Sequence, residues 1–187
     1  MSHKGLQALY DAGQVKRLHT VPVLREHHIA EHVYGALLWL MELYEGARQA
    51  AATAGLAINR EAVSVWLLYH DAPELITGDI PAPTKRAIEA HDAMGYSPPI
   101  EEMEAKAYSN LFNVTPPTLN EWETMLAKTC DYLDLAMCCI RERQMGNQHP
   151  TLLMVFQNAM SYVGQCGLPR IQFYERWMWD LWHGVER

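Results

Sequence analysis

Ile29-Ala30-Glu31-His32-Val33-Tyr34-Gly35-Ala36-Leu37-Leu38-Trp39-Leu40-Met41-Glu42-Leu43-Tyr44 is the stretch that decides the fold class. Val33, Leu37, Leu40, Met41 and Tyr44 recur at intervals of three and four, which lays one apolar stripe along a helix. Neither this stretch nor the rest of the chain alternates apolar and polar residues for long enough to make a convincing strand. The chain is therefore predicted to be all-α, a bundle of about six to eight helices, with its first core helix running from Ile29 to Ala54.

Upstream of that helix, a short helix over Gly5 to Ala12 is expected to end at Gly13. The segment Gln14 to His28, with crowded charges and Pro22 inside it, reads as an ordered loop over a site. Downstream, Asn59 is a plausible N-cap for a helix that carries Val63, Leu67 and His70 and runs to about Leu75. Gly78, Pro81 and Pro83 then force a turn. Glu89 to Pro99 reads as an irregular connection, and Ile100 to Leu111 resumes helical spacing. A long helix is expected over Leu119 to Met145, closed by Gly146, followed by helices over Thr151 to Tyr162 and Pro169 to Gly184, with Pro169 suited to a first turn.

With 187 residues the chain fits one domain, a core over about 17–145 and C-terminal helices over 150–184. A hydrophobic content of 49% with 20% charged residues suits a soluble globule rather than a disordered chain. The formal charge of -7 argues against broad binding of duplex nucleic acid, which needs a basic face, but leaves room for one nucleotide in a locally basic pocket. The most apolar stretch, Ala36 to Leu43, is far shorter than the roughly 20 residues of a membrane span, and no basic-then-apolar N-terminal signal is present. A cytoplasmic protein is expected. Cys130, Cys138, Cys139 and Cys166 lack metal-ligand spacing and read as reduced, mostly buried thiols. Trp177, Trp179 and Trp182, with Phe173 and Tyr174, read as a helix face packing against the chain's own core or a second subunit rather than a base-stacking platform, and a homo-oligomer is expected. Met137, Met154, Met160 and Met178 read as core filler.

The chemistry centres on His70-Asp71, which closes the apolar run Val65-Trp66-Leu67-Leu68-Tyr69. Adjacent helical residues differ by about 100° in direction, so both can reach one ion only from the edge of a core-facing stripe. Alone, the dipeptide reads as a core-edge histidine beside a solvated aspartate. Two further residues change that reading. His32 opens the first core helix, and Asp131 lies mid-face in Lys128-Thr129-Cys130-Asp131-Tyr132-Leu133-Asp134, where a buried carboxylate is costly unless paired or bound to a cation. Two imidazoles and two carboxylates suit Mn, Co, Fe or Zn, and Mg less well. Glu74, three residues after Asp71, is placed to position or deprotonate a water beside the ion. Asp79 follows in the turn Thr77-Gly78-Asp79-Ile80-Pro81.

His32, His70-Asp71 and Asp131 resemble the H, HD and D ligands of the HD-domain phosphohydrolase superfamily. Arg17, Ala30-Glu31-His32, Tyr69-His70-Asp71-Ala72-Pro73-Glu74 and Thr77-Gly78-Asp79-Ile80-Pro81-Ala82-Pro83-Thr84-Lys85 narrow the likeness to the bacterial 5'-deoxynucleotidases and phage deoxynucleoside triphosphohydrolases, over most of Arg17 to Asp134. The resemblance implies an HD-domain helical bundle and a metal-dependent phosphohydrolase of small 2'-deoxynucleotides holding one divalent ion on His32, His70, Asp71 and Asp131. It implies Glu74 as the residue that orients or deprotonates water, and Asp79 as a residue that assists proton transfer or holds the sugar. Arg17 and Lys85, with Arg25 and Arg86 as further cations, would face phosphate. The reading leans to a dATP-preferring triphosphohydrolase that releases deoxynucleoside, with a 5'-deoxynucleotidase acting on monophosphates as the alternative. A signalling-nucleotide phosphodiesterase and a non-catalytic nucleotide-binding regulator fit less well. Where the deoxynucleotidases usually carry an aromatic residue after the arginine, this chain has Leu18 and then His19, which are left to exclude the ribose hydroxyl by bulk or to stack on the base.

Overall fold

The computed structural model describes residues 6–7, 10–92, 100–109 and 115–184. Its architecture is helical, as expected. The α-helices are α1 Ile29–Thr53, α2 Arg60–Tyr69, α3 Glu74–Thr77, α4 Ala82–Asp92, α5 Ile100–Ala107, α6 Glu121–Gln144, α7 Pro150–Gln165 and α8 Ile171–Trp182. Near the N-terminus Leu6, Gln7 and Tyr10 are helical, and a 3-10 turn over Asp11–Gln14 continues through Gly13 instead of stopping there. The following segment, expected to be loop, contains a two-residue strand pair: β1 Lys16–Arg17 lies antiparallel to β2 His27–His28, with Lys16 opposite His28 and Arg17 opposite His27. Two residues are too few to display an alternating pattern in sequence.

Helix α6 is the centre of the bundle and touches α1, α2, α7 and α8. Its first turn is a capping box: the Asn120 side chain accepts from the Glu123 N–H, and Glu123 accepts from the Asn120 N–H. The other Glu123 oxygen accepts from the Asn59 N–H at 2.7 Å, so one buried carboxylate ties the start of α6 to the start of α2. Asn59 caps α2 as expected, accepting from the Ala62 N–H. Helix α1, which packs on α6, buries Ile29, His32, Val33, Ala36, Leu40, Leu43, Ala47 and Ala51, with Ile29 and Val33 in a separate small cluster beside Val15 and Leu75. The stripe is rotated from the expected one. Leu37 and Tyr44 are only half-buried and Met41 is 65% exposed, because it sits one residue, about 100°, beyond Leu40.

Helix α2 stops at Tyr69 rather than near Leu75, for a reason written in Pro73. A continuing helix would satisfy the Tyr69 carbonyl with the N–H of residue 73, and proline has none. The Ala72 N–H, at 2.8 Å, and the hydroxyl of Tyr108, at 2.9 Å, take over at the Tyr69 carbonyl, and the same hydroxyl is 3.1 Å from the His70 carbonyl. His70 to Pro73 form a turn, and α3 is a single turn that ends at Gly78, whose φ of 72° favours glycine.

Other boundaries also move. Pro83 falls in the first turn of α4, where a missing N–H is tolerated, and α4 occupies the beginning of the expected irregular connection. The rest of that connection, 93–99, lies outside the described residues. Helix α5 ends at Ala107 and passes into a π-type turn at Tyr108 and Ser109; positions 110 and 111 of the expected helix are likewise outside. Pro150, not Pro169, occupies a helical first turn. Pro169 precedes Arg170, the N-cap of α8, which adopts a left-handed φ of 62°.

The aromatic tail packs against its own core. Phe156 on α7 is fully buried, stacked on Trp182 at 4.3 Å between ring centroids and met edge-on by Trp179 at 4.9 Å. Tyr174 meets Trp39 of α1 edge-on. Replacing Phe156 with alanine should lower stability by about 3–5 kcal/mol, read as a shifted denaturant midpoint; a small shift would mean that the two tryptophans collapse into the gap. Met160 and Met178 are buried, whereas Met154 is 54% exposed and does not fill the core. The four cysteines are free, three of them buried. Among the described residues no helix is long and apolar enough to cross a membrane.

Candidate metal centre

Three helices deliver the four expected ligands to one place. His32 comes from the first turn of α1, His70 and Asp71 from the turn that ends α2, and Asp131 from the middle of α6. His32 is fully buried, with Nε2 at 3.0 Å from Asp131 Oδ1 and 3.6 Å from Asp71 Oδ2. His70 Nε2 lies 3.3 Å from Asp71 Oδ1 and 3.9 Å from Asp131 Oδ1. One ligand atom each from His32, His70 and Asp131 lie within 4.8 Å of one another.

The proton positions on both rings follow from their outer partners. His70 Nδ1 is 2.8 Å from the Leu67 carbonyl, which can only accept, so Nδ1 carries the proton and Nε2 the lone pair. The His70 ring is further fixed by Trp66, stacked at 4.8 Å and 13°. His32 Nδ1 lies 2.7 Å from Asp134 Oδ2, which assigns it the same tautomer. Both Nε2 atoms are buried without a hydrogen-bond partner, the short approach of Asp131 to His32 being badly aligned for one. Two orphaned lone pairs facing two carboxylates form a donor set that fits a divalent cation.

Electrostatics agree. Burial pushes the His70 imidazole down to about 4, which keeps it neutral and able to ligate near neutral pH. Burial would raise the carboxyl of Asp131, but its neighbours His32, His70 and Arg17 outweigh it and hold the group well below its ordinary value. Glu74, at the start of α3, is pushed up to about 7, chiefly by burial and also by Asp79, against Arg17, His32 and Lys85. One of its oxygens is buried without a hydrogen-bond partner. Because α2 has already ended, Glu74 is placed by the Pro73 turn and not by a continuous helical face.

Asp79 lies just beyond Gly78 and accepts from the Leu18 N–H at 2.9 Å, with His19 Nδ1 at 3.7 Å. That hydrogen bond holds Leu18 in a left-handed conformation, φ 57°, which a leucine rarely adopts. Leu18 packs against the main core and His19 is 45% exposed. Three of the four expected phosphate-facing cations are paired with carboxylates. Arg17, on β1, forms an ion pair with Asp71. Lys85 is 2.6 Å from Glu104. Arg25 is exposed and pairs with Glu31, while its backbone N–H and that of Leu24 donate to Glu142 on α6. Nothing brings Arg25 to the cluster, and Arg86 is exposed on α4.

Sequence reading missed four supporting residues: Asp134, Gly35, Trp66 and Tyr108. Asp134 had a visible signal, three residues after Asp131 and so on the same face of α6. The others act through tertiary contacts.

The chain is similar to several known proteins. A phage protein described as a dATP triphosphohydrolase, from Salmonella phage PMBT28, is 33% identical over 46% of this chain and 45% of its own length. A 5'-deoxynucleotidase of Photorhabdus laumondii is 31% identical over 48% of this chain and 50% of its own length. The chain thus spans about half the length of the curated relatives it matches. Among solved structures, an HD-domain phosphohydrolase from Listeria innocua superposes with a TM-score of 0.70 at 22% identity, covering 98% of this chain and 91% of that one. The cyanophage S-2L HD phosphohydrolase DatZ, described as bound to dA and one catalytic zinc ion, superposes with a TM-score of 0.53 at 19% identity, covering 96% and 95%. These two likenesses establish a shared fold. The sequence profile described as 5'-deoxynucleotidase YfbR-like matches residues 6–179, nearly the whole of the described bundle and every residue of the histidine and aspartate cluster, and the chain belongs to that family.

Proposed function

We propose that this chain is a divalent-metal-dependent phosphohydrolase of 2'-deoxynucleotides. The observation that carries the reading is the convergence of two histidine Nε2 lone pairs on Asp71 and Asp131, with the unpartnered oxygen of Glu74 nearby. His32, His70, Asp71 and Asp131 would hold the cation, with Mn, Co, Fe or Zn better suited than Mg to the mixed nitrogen and oxygen donors. When bound, such an ion polarises a phosphoryl oxygen and lowers the pKa of water toward neutrality. Glu74 orients the attacking water and accepts its proton as the new phosphorus–oxygen bond forms and the bond to the 5' oxygen breaks. Arg17 pairs with Asp71 through the oxygen that also faces His32, and so helps fix the carboxylate's direction. Asp79, bonded to the Leu18 backbone, would meet the sugar or pass a proton to the departing 5' oxygen.

Two phosphate numbers remain in play. The phage relative supports a triphosphohydrolase that prefers dATP and releases deoxynucleoside. The engagement of Arg17, Lys85 and Arg25 by carboxylates favours the monophosphate reading, since a triphosphate calls for more free cations. Incubation with dATP and dAMP, each with Mn or Co, followed by separation of triphosphate from phosphate, decides between them. Inertness toward both would overturn the proposal.

Glu74 also sets a pH profile. Its ionised form accumulates as pH rises through about 7, and kcat should climb with it. The folded chain binds this proton more tightly than the unfolded one, so the stabilisation is complete below the ordinary value of 4.5 and is lost as pH rises through about 7. In chelator-treated protein, the melting temperature of Glu74→Gln should therefore gain on that of the wild type across this window. A constant difference would show that the carboxylate is not desolvated.

A further inference from the structure

We infer that Asp134 is a positioning residue for the metal centre, holding His32 as the Nδ1–H tautomer, and that Gly35 is the residue that admits it. The inference rests on the proposed cation site and concerns what orients one of its ligands. Of the two imidazoles, His70 is held by a backbone carbonyl, which no side-chain change removes. His32 is held by a side chain, Asp134, 102 residues away in sequence.

The space for that side chain is created by one missing atom. A Cβ on Gly35 would lie 1.8 Å from Asp134 Oδ1 and 2.6 Å from its Cγ, distances no packing adjustment of a neighbouring methyl can accept. Gly35 lies inside α1, where glycine is destabilising by roughly 0.5–1 kcal/mol relative to alanine, and it is not among the glycines with positive φ. Close approach is the physical reason left for glycine at this position. The Asp134 side chain is 8% exposed, and its Oδ2 is also 3.8 Å from Nε2 of His27, on β2. The carboxylate is thus enclosed between α1, α6 and the strand pair.

The chemistry explains why the contact matters. A neutral imidazole with its proton on Nε2 presents that proton to the cation position instead of a lone pair. An acceptor fixed at Nδ1 forbids that tautomer and locks the ring's direction, as outer carboxylates do for ligating histidines generally.

The test uses metal-free protein first. Long-range proton–nitrogen correlation spectra of 15N-labelled wild type should show His32 protonated on Nδ1, and Asp134→Ala should shift it toward the Nε2–H form. Zinc alone, titrated calorimetrically, should bind Asp134→Ala about 10–100-fold more weakly. Gly35→Ala should weaken zinc in the same direction by displacing the carboxylate. The double variant should bind like Asp134→Ala, since the collision is gone once the carboxylate is removed. An unchanged tautomer with unchanged zinc affinity in Asp134→Ala, or additive losses in the double variant, would overturn the inference. Asp134→Ala carries the test by itself should Gly35→Ala not fold. Failure of the wild type to bind any cation would sink the reading of the centre, and the tautomer spectra would still decide the role of Asp134.

Discussion

Exchange of Glu74 for glutamine is expected to lower kcat by about 10²–10⁴-fold, with KM little changed and zinc still bound. Glutamine keeps the volume and can still hydrogen-bond to a water, but it cannot accept the proton that attack at phosphorus releases. The position offers little else to lose, because one Glu74 oxygen is buried without a partner and the side chain sits outside the group of cation-facing atoms. The rise of kcat with pH through about 7 should vanish in the variant along with the rate. A variant that kept both turnover and the pH profile would move the base elsewhere, with Asp79 the next residue to replace. A non-catalytic nucleotide-binding protein would bind deoxynucleotide equally well with either side chain and would turn over neither.

Removal of the cation is the second large effect. Treatment with a chelator should bring turnover to background, and Mn, Co or Zn should restore it. Asp131→Ala should resist restoration, because it removes one of the two carboxylates that, among the described residues, face the histidine lone pairs. The loss of cation affinity should exceed the about 10–100-fold cost of losing an outer partner. A thermal measurement checks the same site without substrate. Saturation at a hundred times Kd stabilises a folded protein by about 2.7 kcal/mol, so zinc should raise the wild-type melting temperature and leave Asp131→Ala where it was. Equal shifts in both would place the bound metal at another site.

How much of this was legible beforehand follows from the range over which each feature is encoded. Helices α1 and α6 were readable because an apolar stripe is a local pattern, and the ligands His32 and Asp131 stood out as polar residues on those stripes. The stripe's rotation was not readable, since Leu40 and Met41 are equally apolar and only the neighbouring helix decides which of them it covers. The early end of α2 was encoded in Pro73, yet the apolar spacing of Val63 and Leu67 suggested continuity. Part of what replaced the lost N–H, the Tyr108 hydroxyl, comes from a distant segment. The strand pair β1 and β2 was too short to leave a pattern. Its effect is large nonetheless, because it delivers Arg17 to Asp71 and places His27 beside Asp134. Arg17, Lys85 and Arg25 were identifiable as cations, but their acidic partners are set by tertiary packing. The dATP lean rests on the chain's compactness, its likeness to the phage branch and its several cations, and the pairing of three of those cations with carboxylates weakens the last of these grounds.

The ligands' dispersal along the chain has a consequence for how the protein acquires its ion. His32 and Asp134 are separated by 102 residues, and Asp131 is supplied only when α6 has been made. A nascent chain emerging from the ribosome carries His32, His70 and Asp71 well before their last partner exists, and those three have no central helix to hold them together. On the proposed ligand set, capture of a cation would follow translation of α6 and its docking between α1 and α2. Metal loading would then report that the core has closed.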